Sequence, residues 1–333
     1  MSTEPSFWAV LLWAVLGLGL VVYAITGGAD LGAGLWSLLA RGPRAEAQQR
    51  AVRTAIAPIW EANHVWLIFV IVLMFSAFSR AFGALATALH IPLALALVGI
   101  VFRGSAYAFR SYGIQSAAAG QRWERVFAWS SLITPLFLGM VLAGVASGEI
   151  RISQGVVTSG FFAGWTSPFA WAVGCFAVAL FAMLSAAYLA AENTGELARD
   201  FTRRALTMQG IAAALAALTL ALSARYAPLL YANLAHSAWT WPIQLLTAAF
   251  ALASILLLLR GSTRAARYAA AAQVACVVVG FGLAMDRHFI LPDMTLSRAS
   301  TNPAIMPALA TALGVGSLLL VPALVYLYRV FEK

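Results

Sequence analysis

Charge and cysteine are what this 333-residue chain has least of. Charged residues make up 10% and hydrophobic residues 62%, whereas a soluble domain carries roughly 25% charge. A water-soluble globular protein is excluded on that contrast. Two cysteines occur, Cys175 and Cys276, each inside an apolar run. With no Cys-x-x-Cys pair they support neither a disulfide framework nor a structural zinc site, and both read as small core hydrophobes. Acidic residues number 12 against 21 Lys and Arg, for a net charge of +9. That excess would point to nucleic acid only if the basic groups formed a stripe. They are scattered singly and in pairs, which suits loops anchored beside anionic lipid, so no nucleic-acid partner is expected. No soluble domain, low-complexity linker or exact internal repeat is found, and 1–333 reads as a single polytopic membrane domain.

What the chain has in abundance is long apolar runs. A membrane span needs about 20 mostly apolar residues, and nine stretches meet that length: 7–28, 54–78, 82–109, 124–147, 161–190, 204–223, 239–259, 266–286 and 304–328. The expected fold is therefore an all-α integral membrane protein with nine transmembrane helices. The first run follows a polar start without a basic n-region or a small-residue cleavage site, and is read as a retained span. Arg41, Arg44, Arg50, Arg53, Arg110, Arg122, Arg125, Arg199, Arg203, Arg204, Arg260, Arg264, Arg267, Arg329 and Lys333 belong to alternate gaps and the tail. The other gaps hold Arg80, Arg151, Arg225, Arg287 and Arg298. Basic loops resist export, so the N-terminus is expected outside and the C-terminus in the cytoplasm. Trp8, Trp13, Trp239, Trp241, Tyr326 and Tyr328 fall where aromatic belts should lie. The gap around 287–303, bounded by proline, is expected to cap the protein at the outer surface.

Polar residues inside the runs are costly and mark function. The first group is Thr26-Gly27-Gly28-Ala29-Asp30-Leu31-Gly32-Ala33-Gly34. It reads as close helix packing, a broken helix or a helix-end turn, with Asp30 at the membrane edge. The second is Trp60-Glu61-Ala62-Asn63-His64-Val65-Trp66 in the second run. Glu61, Asn63 and His64 lie roughly 12–16 Å into the bilayer, counted from Arg53. Glu61 and His64 share a helix face, as do Trp60 and His64. A buried carboxylate beside a titratable imidazole suits proton handling or a cofactor's neighbourhood, with a hydrogen-bonded packing cluster as the bland reading. The third is Phe102-Arg103-Gly104, with Arg103 about 10 Å from the inner surface. Glu61 lies at a similar depth, and the two are expected to pair. His90 is expected to satisfy a backbone carbonyl freed near Pro92, His236 and His288 to lie in outer loops, and Glu192 and Glu196 to form loop ion pairs with nearby arginines.

These motifs resemble subunit II of the cytochrome bd-type terminal oxidases. The match rests on Gly28-Ala29-Asp30-Leu31-Gly32-Ala33-Gly34, on Ile56-Ala57-Pro58 followed by Trp60-Glu61, Asn63 and Val65-Trp66-Leu67-Ile68, on Phe102-Arg103-Gly104, and on Thr194-Gly195-Glu196-Leu197. The resemblance implies two four-helix bundles plus one peripheral helix, in the bacterial plasma (inner) membrane. It implies a partner, subunit I, that carries haem b and haem d (or a further haem b) and the quinol site of a quinol:O2 oxidoreductase. This chain would then bind no haem or metal and hold no catalytic residue. It would stabilise the partner's haems and contribute to proton and oxygen access. By the same resemblance Asp30 and Glu61, with Asn63 and His64 beside them, belong to a proton pathway. Arg103 and Trp60 are structural or charge partners, and Trp66 neighbours an oxygen-access route. A structural quinone or lipid and small single-span subunits are further expectations. The sequence departs from the family pattern with Glu at 61 rather than Asp, His at 64 rather than Gln or Glu, Ala at 62 and Gly at 27.

Two other function classes compete. A proton-coupled secondary transporter would use Glu61 and His64 as its coupling site and would need discontinuous helices. A b-type membrane cytochrome would use His64 and His90 as axial ligands on adjacent spans.

Overall fold

The structure is a computed structural model. It describes residues 4–56, 60–112, 117–300, 302 and 304–331, and leaves undescribed the side chains of 56, 60–63, 110–112, 117–118, 321, 324, 325 and 327–331. The side chains of Trp60, Glu61 and Asn63 therefore lie outside the described residues.

The chain folds into α1 (Phe7–Leu38), α2 (Ala45–Ile56), α3 (Trp60–Ala77), α4 (Ser79–Ala88), α5 (His90–Tyr112) and α6 (Ala117–Ala146). A hairpin of β1 (Ile152–Ser153) and β2 (Val156–Val157) follows, then α7 (Pro168–Glu192), α8 (Gly195–Tyr226), α9 (Pro228–His236), α10 (Thr240–Leu259) and α11 (Thr263–Ala284). A second hairpin, β3 (His288–Ile290) and β4 (Met294–Thr295), leads through α12 (Leu296–Ala299) into α13 (Met306–Phe331). Both hairpins are antiparallel. Among the described residues, seven helices are long and apolar enough to cross a membrane, or eight if the bent pair α3–α4 counts as one span.

Helix starts follow local chemistry. Ser6 caps α1 by accepting from the Ala9 N–H at 3.2 Å, and Ser167 caps α7 by accepting from the Ala170 N–H at 3.2 Å, with Pro168 in the first turn. Several helix edges differ from the sequence expectation: α7 begins at Pro168 rather than 161 and α8 at Gly195 rather than 204, and two further differences have a clear physical reason. The glycine run does not end or break the first helix: α1 continues to Leu38, ten residues beyond the expected edge at 28. The close-packing alternative is the one observed. A Cβ on Gly32 would overlap the Phe181 carbonyl oxygen of α7 and would lie 2.5 Å from its carbon and 2.9 Å from the Ala182 nitrogen. A Cβ on Gly28 would strike the Phe181 ring, and one on Gly34 the Ser131 hydroxyl of α6. In lipid, where apolar side chains gain little by leaving the solvent, such backbone contact is what holds helices together. The other correction concerns the third stretch. Its first residues belong to α4, which turns by 115° from α3, and the long helix α5 begins only at His90. Composition cannot separate the two, because α4 is as free of acidic residues as a span. Phe78 fills the elbow, fully buried, with its ring 4.8 Å from Phe289.

Buried side chains form two clusters. One gathers Leu12, Leu16, Leu73, Phe78, Leu89 and Met140 toward the end opposite the arginine-rich loops. The other gathers Trp36, Phe127, Met183, Leu184, Phe201 and Val274 toward the arginine-rich end. Cys276 is buried as expected, but Cys175 is exposed on the outside of α7. Glu196 pairs with Arg199, one of the loop arginines expected to hold it, whereas Glu192 pairs with Arg267 of α11 at 2.5 Å rather than with Arg199, Arg203 or Arg204.

Of the segment expected to form a cap, residues 287–300 do cover the end opposite the basic loops. The Leu291 N–H donates to the Val145 carbonyl at 2.9 Å, and Ile290, Leu291 and Leu296 are buried. Asp293 joins the two hairpins, accepting from the Ile152 N–H at 2.8 Å and from Arg151 Nε at 2.9 Å. Burial works against ionisation of Asp293, but the Ile152 N–H and Arg151 outweigh it and hold the carboxyl below its usual range. A depressed carboxylate stabilises the fold above the unfolded-state pKa and loses that contribution as pH falls through the folded one. The hairpin junction is therefore expected to be indifferent to pH from 5 to 8 and to loosen only below about pH 4. Hydrogen exchange of the Ile152 amide across pH checks this, with Asp293→Asn showing the loosened rate at neutral pH.

Candidate functional site: a buried ion pair between three helices

The glycine-rich face of α1 brings one carboxylate into the helix bundle. Because α1 runs on to Leu38, Asp30 sits eight residues from its end, about 12 Å along the axis. It is not at the helix edge. Arg103 of α5 reaches it with both ends of its fork: Nη1 donates to Asp30 Oδ2 at 2.6 Å and Nη2 to Oδ1 at 2.6 Å. Nη2 also donates to the Asp30 carbonyl at 2.9 Å, and Nε to the Ser131 hydroxyl of α6 at 2.9 Å. Four donations from five N–H groups leave the guanidinium nearly saturated. The Ser131 hydroxyl donates in turn to the Phe127 carbonyl at 2.7 Å, and the Phe127 ring lies 4.7 Å beneath the guanidinium. Both charged side chains are 4% exposed. Desolvation at such a site is severe, and only this geometry, a bidentate fork with its remaining donors satisfied, offsets it.

The partner anticipated for Arg103 was Glu61. The structure gives it Asp30, and the Glu61 side chain lies outside the described residues. Counting depth from the apolar run 7–28 places Asp30 at the membrane edge, whereas α1 continues to Leu38 and carries it inward. Ser131 and Phe127 carry no charge, and the sequence offered no signal for them beyond a hydroxyl within an apolar run.

A cavity of about 10 Å³ opens beside the pair, lined by Tyr23, Gly27, Asp30, Leu31, His64, Ile100 and Arg103. That is the lower limit of room for one water molecule. Tyr23, Gly27 and Asp30 follow one another along a single face of α1, and a Cβ on Gly27 would press on the Tyr23 ring at 2.8 Å. His64, on α3, lines the same cavity, so the structure brings Asp30, His64 and Arg103 together. Proton-exchanging groups around a water-sized space can pass a proton; an apolar packing cluster cannot.

His90 lies elsewhere. Its Nδ1 is 2.9 Å from the Thr87 carbonyl, where it donates, as expected for a histidine serving a freed backbone oxygen. Its position on α5 is ten residues from Ile100, about 15 Å along the axis. His64 lines one small cavity with Ile100 and Arg103 of α5, so the two imidazoles do not fit one haem iron. His288 hydrogen-bonds the cap, Nδ1 lying 3.1 Å from the Met285 carbonyl, and His236 closes α9.

Trp66 is set apart from the ion pair. It lines an apolar cavity of about 280 Å³ between α3 and α13, with Val65, Phe69, Val72, Leu309 and Leu313. Its ring meets Phe69 edge-on at 6.2 Å.

The family model described as cytochrome bd terminal oxidase subunit II matches residues 8–331. The chain belongs to that family. It is similar to cytochrome bd-I ubiquinol oxidase subunit 2 of Escherichia coli (strain K12), 27% identical over 193 residues, which are 56% of this chain and 49% of that protein. The chain thus matches about half the length of that relative. It is also similar to a Bacillus subtilis (strain 168) protein assigned as cytochrome bd menaquinol oxidase subunit II, 24% identical over 345 residues covering 100% of this chain and 97% of that protein. In fold it resembles a chain of the bd oxidase from Geobacillus thermodenitrificans, with a TM-score of 0.80 and 25% identity over 98% of this chain and 99% of that one. Family and apolar helices together make this a multi-pass protein of the bacterial inner membrane.

Proposed function

We propose that the chain is the haem-free partner of a haem-bearing subunit I in a bd-type oxidase that reduces O2 to water with electrons from a quinol. In the complex it spans the membrane nine times, with the N-terminus outside and the arginine-rich loops in the cytoplasm. The observation that carries this reading is the Asp30–Arg103 fork beside a water-sized cavity that His64 also lines. A pair so costly to bury is kept where it does work.

The haems, when bound in subunit I, supply the electron transfer and the O2 chemistry. This chain's own residues manage the approach. Glu61, one turn before His64 on α3, receives protons from the cytoplasmic side, Asn63 beside His64 orients the water that carries them, and His64 relays between Glu61 and the cavity. Asp30 and Arg103 hold a fixed dipole there and lock α1, α5 and α6 at the spacing that the partner's haems need. The apolar cavity at Trp66 suits an apolar occupant, either dioxygen moving toward the partner or the tail of a structural lipid or quinone. The transporter reading loses the hint it drew from the first span, since α1 is continuous through the glycine run; the break the structure does show, between α3 and α4, lies at Phe78, 14 residues beyond His64.

The test is purification of the tagged chain from its native membrane in mild detergent, followed by a reduced-minus-oxidised visible spectrum. Haem bands arriving with a second, larger membrane subunit are expected. A colourless chain recovered alone would overturn the proposal.

A further inference from the structure

We infer that Glu124 is the proton-collecting group at the cytoplasmic mouth of the seam that leads to Asp30. The inference rests on the proton role proposed above and adds a second entry, along α1 and α6, to the cavity that Asp30 and His64 both line.

Three observations converge on it. Glu124 stands near the start of α6, and its side chain is 16% exposed, so it meets both water and the interior. Its Oε1 accepts from the buried Ser37 hydroxyl of α1, and its Oε2 lies 3.8 Å from Arg53 Nη1 of α2. Ser37 continues the α1 face that carries Gly34 and Asp30, and Glu124 continues the α6 face that carries Phe127 and Ser131, by the i, i+3 and i+4 rule. The rungs of one seam are thus Glu124 with Ser37, then Ser131 pressed on Gly34, then Ser131 with Arg103 and Asp30. From Ser37 to Asp30 is seven residues, about 10 Å.

The charge pattern says why a carboxylate belongs at this mouth. The surrounding loops are rich in arginine, and a positive field lowers the local proton concentration. A carboxylate at the seam's opening reverses that locally. Arg53 and the Ser37 hydroxyl face it from α2 and α1. Arg122 and Arg125 flank it on its own helix, and α5 passes at Phe109, whose ring stacks 4.8 Å from Trp123. In one cycle the carboxylate takes a proton from water, becomes the neutral acid, and returns to the anion when that proton moves inward. Nothing else changes.

The test uses the whole oxidase complex in proteoliposomes, comparing Glu124→Gln, Glu124→Asp and Glu61→Gln for O2 consumption, proton uptake and visible spectrum. Glu124→Gln is expected to slow both rates about tenfold with haem bands intact, less than the 10²–10⁴ of an enclosed proton-transfer group because water can partly substitute at an open mouth. Glu124→Asp should recover most of the rate and shift its pH profile. Wild-type rates in Glu124→Gln, with Glu61→Gln slow, overturn this inference and leave the proton role standing. Wild-type rates in both overturn the proton role itself. If Glu124→Gln loses its haem bands, the Glu124→Asp profile decides: a shift supports proton collection, and a profile superimposable on wild type shows a structural role only.

Discussion

Arg103→Leu should abolish assembly of the haem-bearing complex. The substitution leaves the Asp30 carboxylate in a site where it is 4% exposed, stripped of the two 2.6 Å donations from the guanidinium. Removing one member of a buried pair costs about 3–5 kcal/mol, because the remaining charge must be neutralised or hydrated. Ser131 also loses its donor, and the Phe127 ring loses its cation. Haem absorbance per milligram of purified complex reads the effect. The double variant Asp30→Leu with Arg103→Leu separates pairing from bulk. Replacing a whole buried pair with apolar residues is often neutral, so the double variant should assemble better than Arg103→Leu alone. Equal loss in both would mean that the pair is not what holds α1 to α5.

Gly32→Ala is expected to be nearly as damaging, through sterics. Its methyl would collide with main-chain atoms of Phe181 and Ala182, which cannot turn aside as a side chain can. Overpacking typically costs 1–3 kcal/mol, and a backbone clash belongs at or above about 3 kcal/mol. Moving α1 away from α7 would also break the Trp36 Nε1 donation to the Ala182 carbonyl, now 3.0 Å, and drag Asp30 off Arg103. The thermal midpoint of the purified complex should fall markedly. Gly17→Ala, where a Cβ meets nothing within 4 Å, serves as the control and should leave it unchanged.

Much of this was legible in the sequence, for identifiable reasons. Apolar runs located the long helices because in lipid every backbone group must be satisfied within the helix. The charge within those runs pointed to Asp30, His64 and Arg103, which the fold brings together around one cavity. What failed was local punctuation. In water, four glycines in eight positions signal a helix end; in a membrane they signal contact, so α1 continued and Asp30 moved inward. That single change makes Asp30 a partner of Arg103, while the Glu61 side chain lies outside the described residues. The elbow at Phe78 was invisible because α4 has the composition of a span. Ser131, Tyr23 and Ser37 went unnoticed because a hydroxyl in an apolar run carries no charge, and only packing shows what it serves.

The central claim is that this subunit supplies protons through α3 and α1. It is tested most directly by Glu61→Gln in the intact complex, measuring O2 turnover and proton uptake in proteoliposomes beside the visible spectrum. The amide keeps the size of the side chain and removes its proton. The account predicts a fall in both rates of about 10²-fold, with wild-type haem bands and subunit ratio. Wild-type turnover and uptake in a normally assembled complex would contradict it.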